Sequence, residues 1–147
     1  MRLRQQRHVQ SCGLACVAMI TNQSYNTVLQ DYEDLGDGPI YWEWWDERKT
    51  WSLNYGTTTM NLYNMLAYYG VQSNKRSLSY KGRDCLPDLS ILTTCLRQED
   101  WNGRKRTFWH WVVCEKERRT TKIYDPWYGM QTLNNIRPVE SYMRIHT

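Results

Sequence analysis

Residues 107–129 read TFWHWVVCEKERRTTKIYDPWYG. Two runs rich in β-branched and aromatic residues, 107–115 (TFWHWVVCE) and 121–125 (TKIYD), flank a charged turn at 116–119. Such side chains suit a pleated, half-buried surface, so the pattern predicts an antiparallel hairpin. The hairpin has a chemical consequence. The midpoint between His110 and Asp125, 117.5, falls inside that turn. A regular hairpin therefore sets the imidazole and the carboxylate face to face on neighbouring strands.

Working upstream, 89–96 (LSILTTCL) reads as another strand, and the polar stretch 100–106 holds Asn102-Gly103, a turn signal. Residues 71–77 and 137–146 complete the strand candidates. Before residue 70 the period is helical. Cys12, Ala15, Cys16, Met19 and Ile20 fall on one face of a helix over 12–21, with Ser11 as its expected N-cap. A second helix starts at Ser24 with Tyr25, Val28, Leu29 and Tyr32 on one side, then fades into the turn chemistry of 34–39 (DLGDGP). A third has Thr57/Thr58 as cap, Leu62, Met65, Leu66 and Tyr69 as its apolar face, and Gly70 as its stop. Helices first and an antiparallel sheet after them predict an α+β fold of two packed layers. Residues 40–55, with four Trp and two Tyr, carry no firm assignment.

At 147 residues the chain is the size of one domain, taken here as 1–147. Nineteen basic and fifteen acidic residues leave a net charge of +4, scattered in short groups without a continuous basic stripe. That argues against nucleic acid as a partner. No run approaches the ~18 apolar residues of a membrane span, and no apolar core of a signal peptide follows the basic start. The expectation is a cytoplasmic protein with free thiols, since five cysteines (Cys12, Cys16, Cys85, Cys95, Cys114) cannot all pair within one chain. Cys16, Cys85, Cys95 and Cys114 are read as packing residues. No CxxC or HxxxH pattern points to a metal, and no cofactor is called for.

Cys12 is different because of its surroundings. A thiol at a helix start feels the positive end of the macrodipole, which favours the thiolate, and the free N–H groups there can hold an oxyanion. An imidazole such as His110 can take the thiol proton and return it to a leaving amine. A carboxylate such as Asp125 can hold the other ring N–H. His8, four residues from Cys12, and His146 are weaker candidates for the base. Among Gln5, Gln6 and Gln10, spacing favours Gln6 near the thiolate.

The order Gln6, then Cys12-Gly13-Leu14-Ala15-Cys16-Val17-Ala18-Met19, then His110-Trp111-Val112-Val113, then Asp125-Pro126 resembles the bacteriocin-processing, papain-like cysteine peptidases (the double-glycine leader peptidases) and their stand-alone relatives. Gly56-Thr57-Thr58-Thr59 matches their Gly-Thr-rich turn before a mid-chain helix, and Ser11 stands where that family usually has Asp. The resemblance implies a papain-like fold with Cys12 as nucleophile, His110 as base and acid, Asp125 as orienter, and Gln6 with the Cys12 N–H as oxyanion hole. It implies cleavage of a peptide or protein substrate through a thioester. The stretch Cys12–Val17 is also similar to plant-type guanylyl-cyclase-like proteins. An acyltransferase, a non-peptide amidase and an inactive peptide-binding module remain open alternatives. Trp44, Trp45, Trp109 and Trp111 are candidate substrate-binding residues, because Trp buries area while keeping a donor for peptide backbone. Oligomeric state is not legible.

Overall fold

The computed structural model describes residues 1–6, 11–35, 42–44, 51–53, 57–101, 103–136 and 138–146. Its helices are α1 (Cys12–Thr21), α2 (Tyr25–Leu35) and α3 (Thr59–Tyr68). Its strands are β1 (Trp42–Trp44), β2 (Trp51–Leu53), β3 (Gln72–Ser73), β4 (Leu78–Ser79), β5 (Leu89–Trp101), β6 (Arg104–Lys116), β7 (Thr121–Asp125), β8 (Gly129–Gln131) and β9 (Val139–His146). The expected α+β class holds. β1 and β2 pair with each other; the other seven form one antiparallel sheet in the order β3-β9-β5-β6-β7-β8, with β4 also on β9.

Both faces of this sheet are covered, which explains why Trp111-Val112-Val113-Cys114 is an unbroken apolar run. Ile91, Trp111, Val113, Tyr124, Met143 and Ile145 pack with the helices around Leu14, Val17, Leu62, Met65 and Leu66. The alternate residues Leu92, Val112, Cys114, Ile123 and Tyr142 pack on the other face with Leu86, Leu133 and Ile136. Strand side chains alternate with period two, so one run serves both layers.

α1 is the central helix. Every residue from Cys12 to Met19 is buried, more than the one apolar face its spacing suggests. Ser11 does not cap it; its hydroxyl is buried and shares a 2.7 Å hydrogen bond with the Tyr25 hydroxyl on α2. A buried hydroxyl must be satisfied, and here a tertiary partner takes it instead of the helix end.

α3 keeps its expected cap. The Thr58 hydroxyl accepts from Asn61 N–H at 3.2 Å and the Asn61 side chain accepts from Thr58 N–H at 2.8 Å, a reciprocal box. Thr58→Ala should cost about 1 kcal/mol of stability. Chemical-denaturant melts check this; an unchanged midpoint would mean that water replaces the cap at no cost. Gly70, at φ +81°, takes the left-handed turn that ends this segment.

Two expectations are corrected. The strand over 71–77 is reduced to β3, with β4 following at Leu78–Ser79, each paired to β9. The turn signal at Asn102-Gly103 falls between the end of β5 at Trp101 and the start of β6 at Arg104, so the hairpin is longer than its apolar part. Cys95 is exposed rather than packed, at a bulge with φ +54°.

Candidate active site

β7 pairs with β6 only at Val113–Lys116, with Lys116 opposite Thr121 and Val113 opposite Tyr124. The turn is closed by Glu117 N–H donating to the Thr120 carbonyl at 2.8 Å. The ladder is thus centred one residue later than the sequence suggests. Continued, its register sets Val112, not His110, opposite Asp125. The two side chains still meet, because a displacement of two residues keeps them on the same face, and diagonal neighbours across a sheet remain in reach. His110 Nε2 lies 2.7 Å from Asp125 Oδ1.

By the same alternation, His110 continues the Val112/Cys114 face and Asp125 the Ile123 face, away from the helical layer. Cys12 comes from that helical layer. The Trp111 N–H donates to Cys12 Sγ at 3.4 Å, and Cys12 lies near enough to the His110 ring to act on its titration together with Asp125.

The electrostatics follow from this. Burial would lower the His110 value, but the hydrogen bonds to Asp125 and Cys12 and their charges outweigh it and push it up from 6.5 to about 10. Burial would raise Asp125, which is 2% exposed, yet it is held below its ordinary 3.8 by His110 and by the N–H groups of Tyr128 and Trp127. Those two backbone donors reach Oδ1 at 3.0 and 2.8 Å. They fix the carboxylate independently of the ring. Tyr128 adds an edge-on contact to His110, with ring centroids 6.4 Å apart.

A raised histidine stabilises the fold fully below 6.5 and loses that contribution as pH rises through about 10. A lowered aspartate contributes above 3.8 and is lost as pH falls through its depressed value. The stability gap between wild type and Asp125→Asn should therefore be widest between the two ordinary values, 3.8 and 6.5, and narrow towards pH 10. Denaturant melts at about pH 5.5 and about pH 9 read this directly, and a gap that widens at the higher pH would contradict it.

Gln6 is half-buried, and its backbone N–H donates to the Pro126 carbonyl at 2.9 Å. The N-terminal segment is thus tied to the turn that follows Asp125. His8 and Gln10 lie outside the described residues. His146 is exposed and hydrogen-bonded to Asn74, remote from Cys12 in the sheet order.

Gly13 explains the Cys-Gly pair physically. A Cβ at this position would come within 2.0 Å of Thr57 Oγ1, 2.8 Å of Leu62 Cδ2 and 3.1 Å of Trp111 Cδ1. The helix start is pressed against α3 and β6 as closely as its backbone permits. Cys16, one turn on, is fully buried; burial, then Cys12 and Asp125, raise its thiol well above its ordinary value, so it is a neutral packing group.

The tryptophan expectations divide. Trp111 is 3% exposed, lies in the helical-face core and donates its indole N–H to the Thr57 carbonyl at 3.1 Å. Its side chain, like those of Trp109 and Val113, faces the helices. Trp109 is half-buried and packs on the same cluster. Trp44 is in β1 opposite Trp51. Trp45 lies outside the described residues. The aromatic neighbour that sequence reasoning missed is Tyr128, 72% exposed, within the very Asp-Pro turn that marked Asp125.

Among the described residues, no group of three His, Cys, Asp or Glu side chains is placed to ligate a metal ion, and no helix is long and apolar enough to cross a membrane. The arrangement offers a thiol at a helix start, a ring able to carry its proton, and a carboxylate fixed on the ring's far side. No family model, curated protein or solved structure matches this chain.

Proposed function

We propose that the protein is a papain-like cysteine peptidase working through Cys12, His110 and Asp125. The observation that carries this is the His110 ring hydrogen-bonded to the Asp125 carboxylate at 2.7 Å, with Cys12, at the start of a buried helix, acting on the same ring. The Cys12 proton passes to His110, and the sulfur attacks a carbonyl carbon of a peptide. The oxyanion is held by the Cys12 N–H at the helix start and by the Gln6 side chain. His110 returns the proton to the departing amine, which leaves a thioester. Water, deprotonated by the same ring, then releases the acid and the thiol. Asp125 stabilises the ring in its charged form throughout.

Limiting iodoacetamide followed by mass mapping tests this. Accessibility alone ranks exposed Cys95 and half-buried Cys85 ahead of Cys12, which is 5% exposed. Preferential alkylation of Cys12 therefore requires activation. Labelling in order of exposure would remove Cys12 from the nucleophile's role.

A further inference from the structure

The β5–β6 hairpin outruns the sheet. β9 follows β5 only as far as Thr94, and β7 follows β6 only back to Val113. Beyond these points a two-stranded ribbon continues, pairing Arg97 with Phe108 and ending at Trp101 opposite Arg104. Its register sets Glu99 opposite Arg106 and Asp100 opposite Lys105. His110 stands where the ribbon leaves the sheet.

The two edges of this ribbon differ. On β5 the extra residues Cys95 and Leu96 form a bulge opposite Trp109, Cys95 has φ +54°, and its N–H is already spent on the Pro138 carbonyl at 3.4 Å. A bulge of this kind bends an edge and blocks strand addition. β6 has no extra residue between Arg104 and Lys116. Its backbone directions are set by two contacts. The His110 carbonyl points towards β5, where it accepts from the Thr94 hydroxyl at 3.5 Å, and the Trp111 N–H points the other way, to Cys12. Odd-numbered residues of β6 thus turn N–H and C=O away from β5. At Val113 that edge is taken by β7 and at Trp111 by the nucleophile. At Trp109, Thr107 and Lys105 no strand takes it among the described residues.

We infer that this edge is the substrate rail: an extended, unfolded polypeptide segment adds to β6 as a strand along Lys105–Trp109 and so delivers its backbone to Cys12. The inference rests on the peptidase reading and deepens it, since it names main-chain recognition of an extended chain. The occupant is substrate and not a second copy because the open edge runs directly into the thiol. At about 3.4 Å per residue it guides roughly five residues.

The test uses the full chain and two pools of degenerate hexapeptides. One pool carries a C-terminal chloromethyl ketone and the other an N-terminal chloroacetyl group; in each, Cys12 sulfur bonds to the CH2 carbon and chloride leaves. Each pool is compared with a copy N-methylated at every amide, which has no N–H to donate along either edge of a strand. At least one pool should alkylate Cys12 about tenfold faster than its N-methylated copy, the worth of one or two net backbone hydrogen bonds. Thr107→Pro removes one outward N–H and leaves the β5 side intact, so it should erase that difference while the iodoacetamide rate at Cys12 stays unchanged. The peptide comparison stands without the variant if Thr107→Pro does not fold. Equal rates for both copies of both pools, with Cys12 still preferred by iodoacetamide, would overturn the rail and leave the peptidase reading intact. Loss of iodoacetamide preference itself would overturn both. A concentration-dependent dimer abolished by Thr107→Pro would reassign the edge to self-association.

Discussion

His110→Gln should slow alkylation of Cys12 by about 10²-fold or more, the usual worth of a positioned acid–base group. Gln is preferred to Ala because it can still offer an N–H to Asp125. That carboxylate is buried, and stripping its side-chain partner would add a folding cost of about 3–5 kcal/mol to the loss of reactivity. With Gln in place the two effects separate. The fold should survive, as the N–H groups of Trp127 and Tyr128 continue to hold Asp125. The thiol then has nowhere to send its proton, and exposed Cys95 should become the first cysteine labelled. Rates measured by mass mapping at limiting reagent, with melting curves alongside, decide the matter. An unchanged rate at Cys12 in a folded variant would mean that the ring contributes only structure.

Gly13→Ala should lower stability by about 3 kcal/mol or more, although it introduces the best helix former into a helix. In an unconstrained helix interior the change gains about 1 kcal/mol. Here the new methyl would lie 2.0 Å from the Thr57 hydroxyl and 2.8 Å from Leu62 Cδ2. Neither neighbour has room to retreat, since Thr57 is 1% exposed and Leu62 fully buried. Relief must come from α1 moving away from α3 and β6, which also carries Cys12 away from His110. The variant should therefore lose Cys12 selectivity as well as stability. Thr57→Ala in the same chain removes the nearest atom and should restore part of the loss, a coupling that a double-mutant cycle measures. A Gly13→Ala protein as stable as wild type would show that α1 is less tightly seated than these distances require.

The helices were legible at close to residue precision because a helix is encoded locally: α1 and α3 carry their own periodicity, and α3 its own cap and stop. The hairpin was legible for the same reason, and so was the pairing of His110 with Asp125, because face parity survives a displacement of two residues. The exact register was not. It depends on where the turn closes, and Glu117 bonding to Thr120 moved the ladder on by one residue. Ser11 looks like a cap in sequence and becomes a tertiary partner of Tyr25, because nothing local records that Tyr25 will lie above it.

By itself, then, the sequence determined the local elements, their α+β order, and which titratable side chains share a face. The tertiary structure decided what depends on relative length and position. β7 pairs with β6 only back to Val113, which leaves the Trp111 N–H to donate to Cys12 Sγ from the helical layer. Trp111 is core and Tyr128 is rim, though both are aromatic residues beside the candidate site. The physical reason is the same in each case. Period and propensity act over a few neighbouring residues, whereas a strand's free edge, a helix's closest approach and a side chain's burial are set by the partner that packs against it.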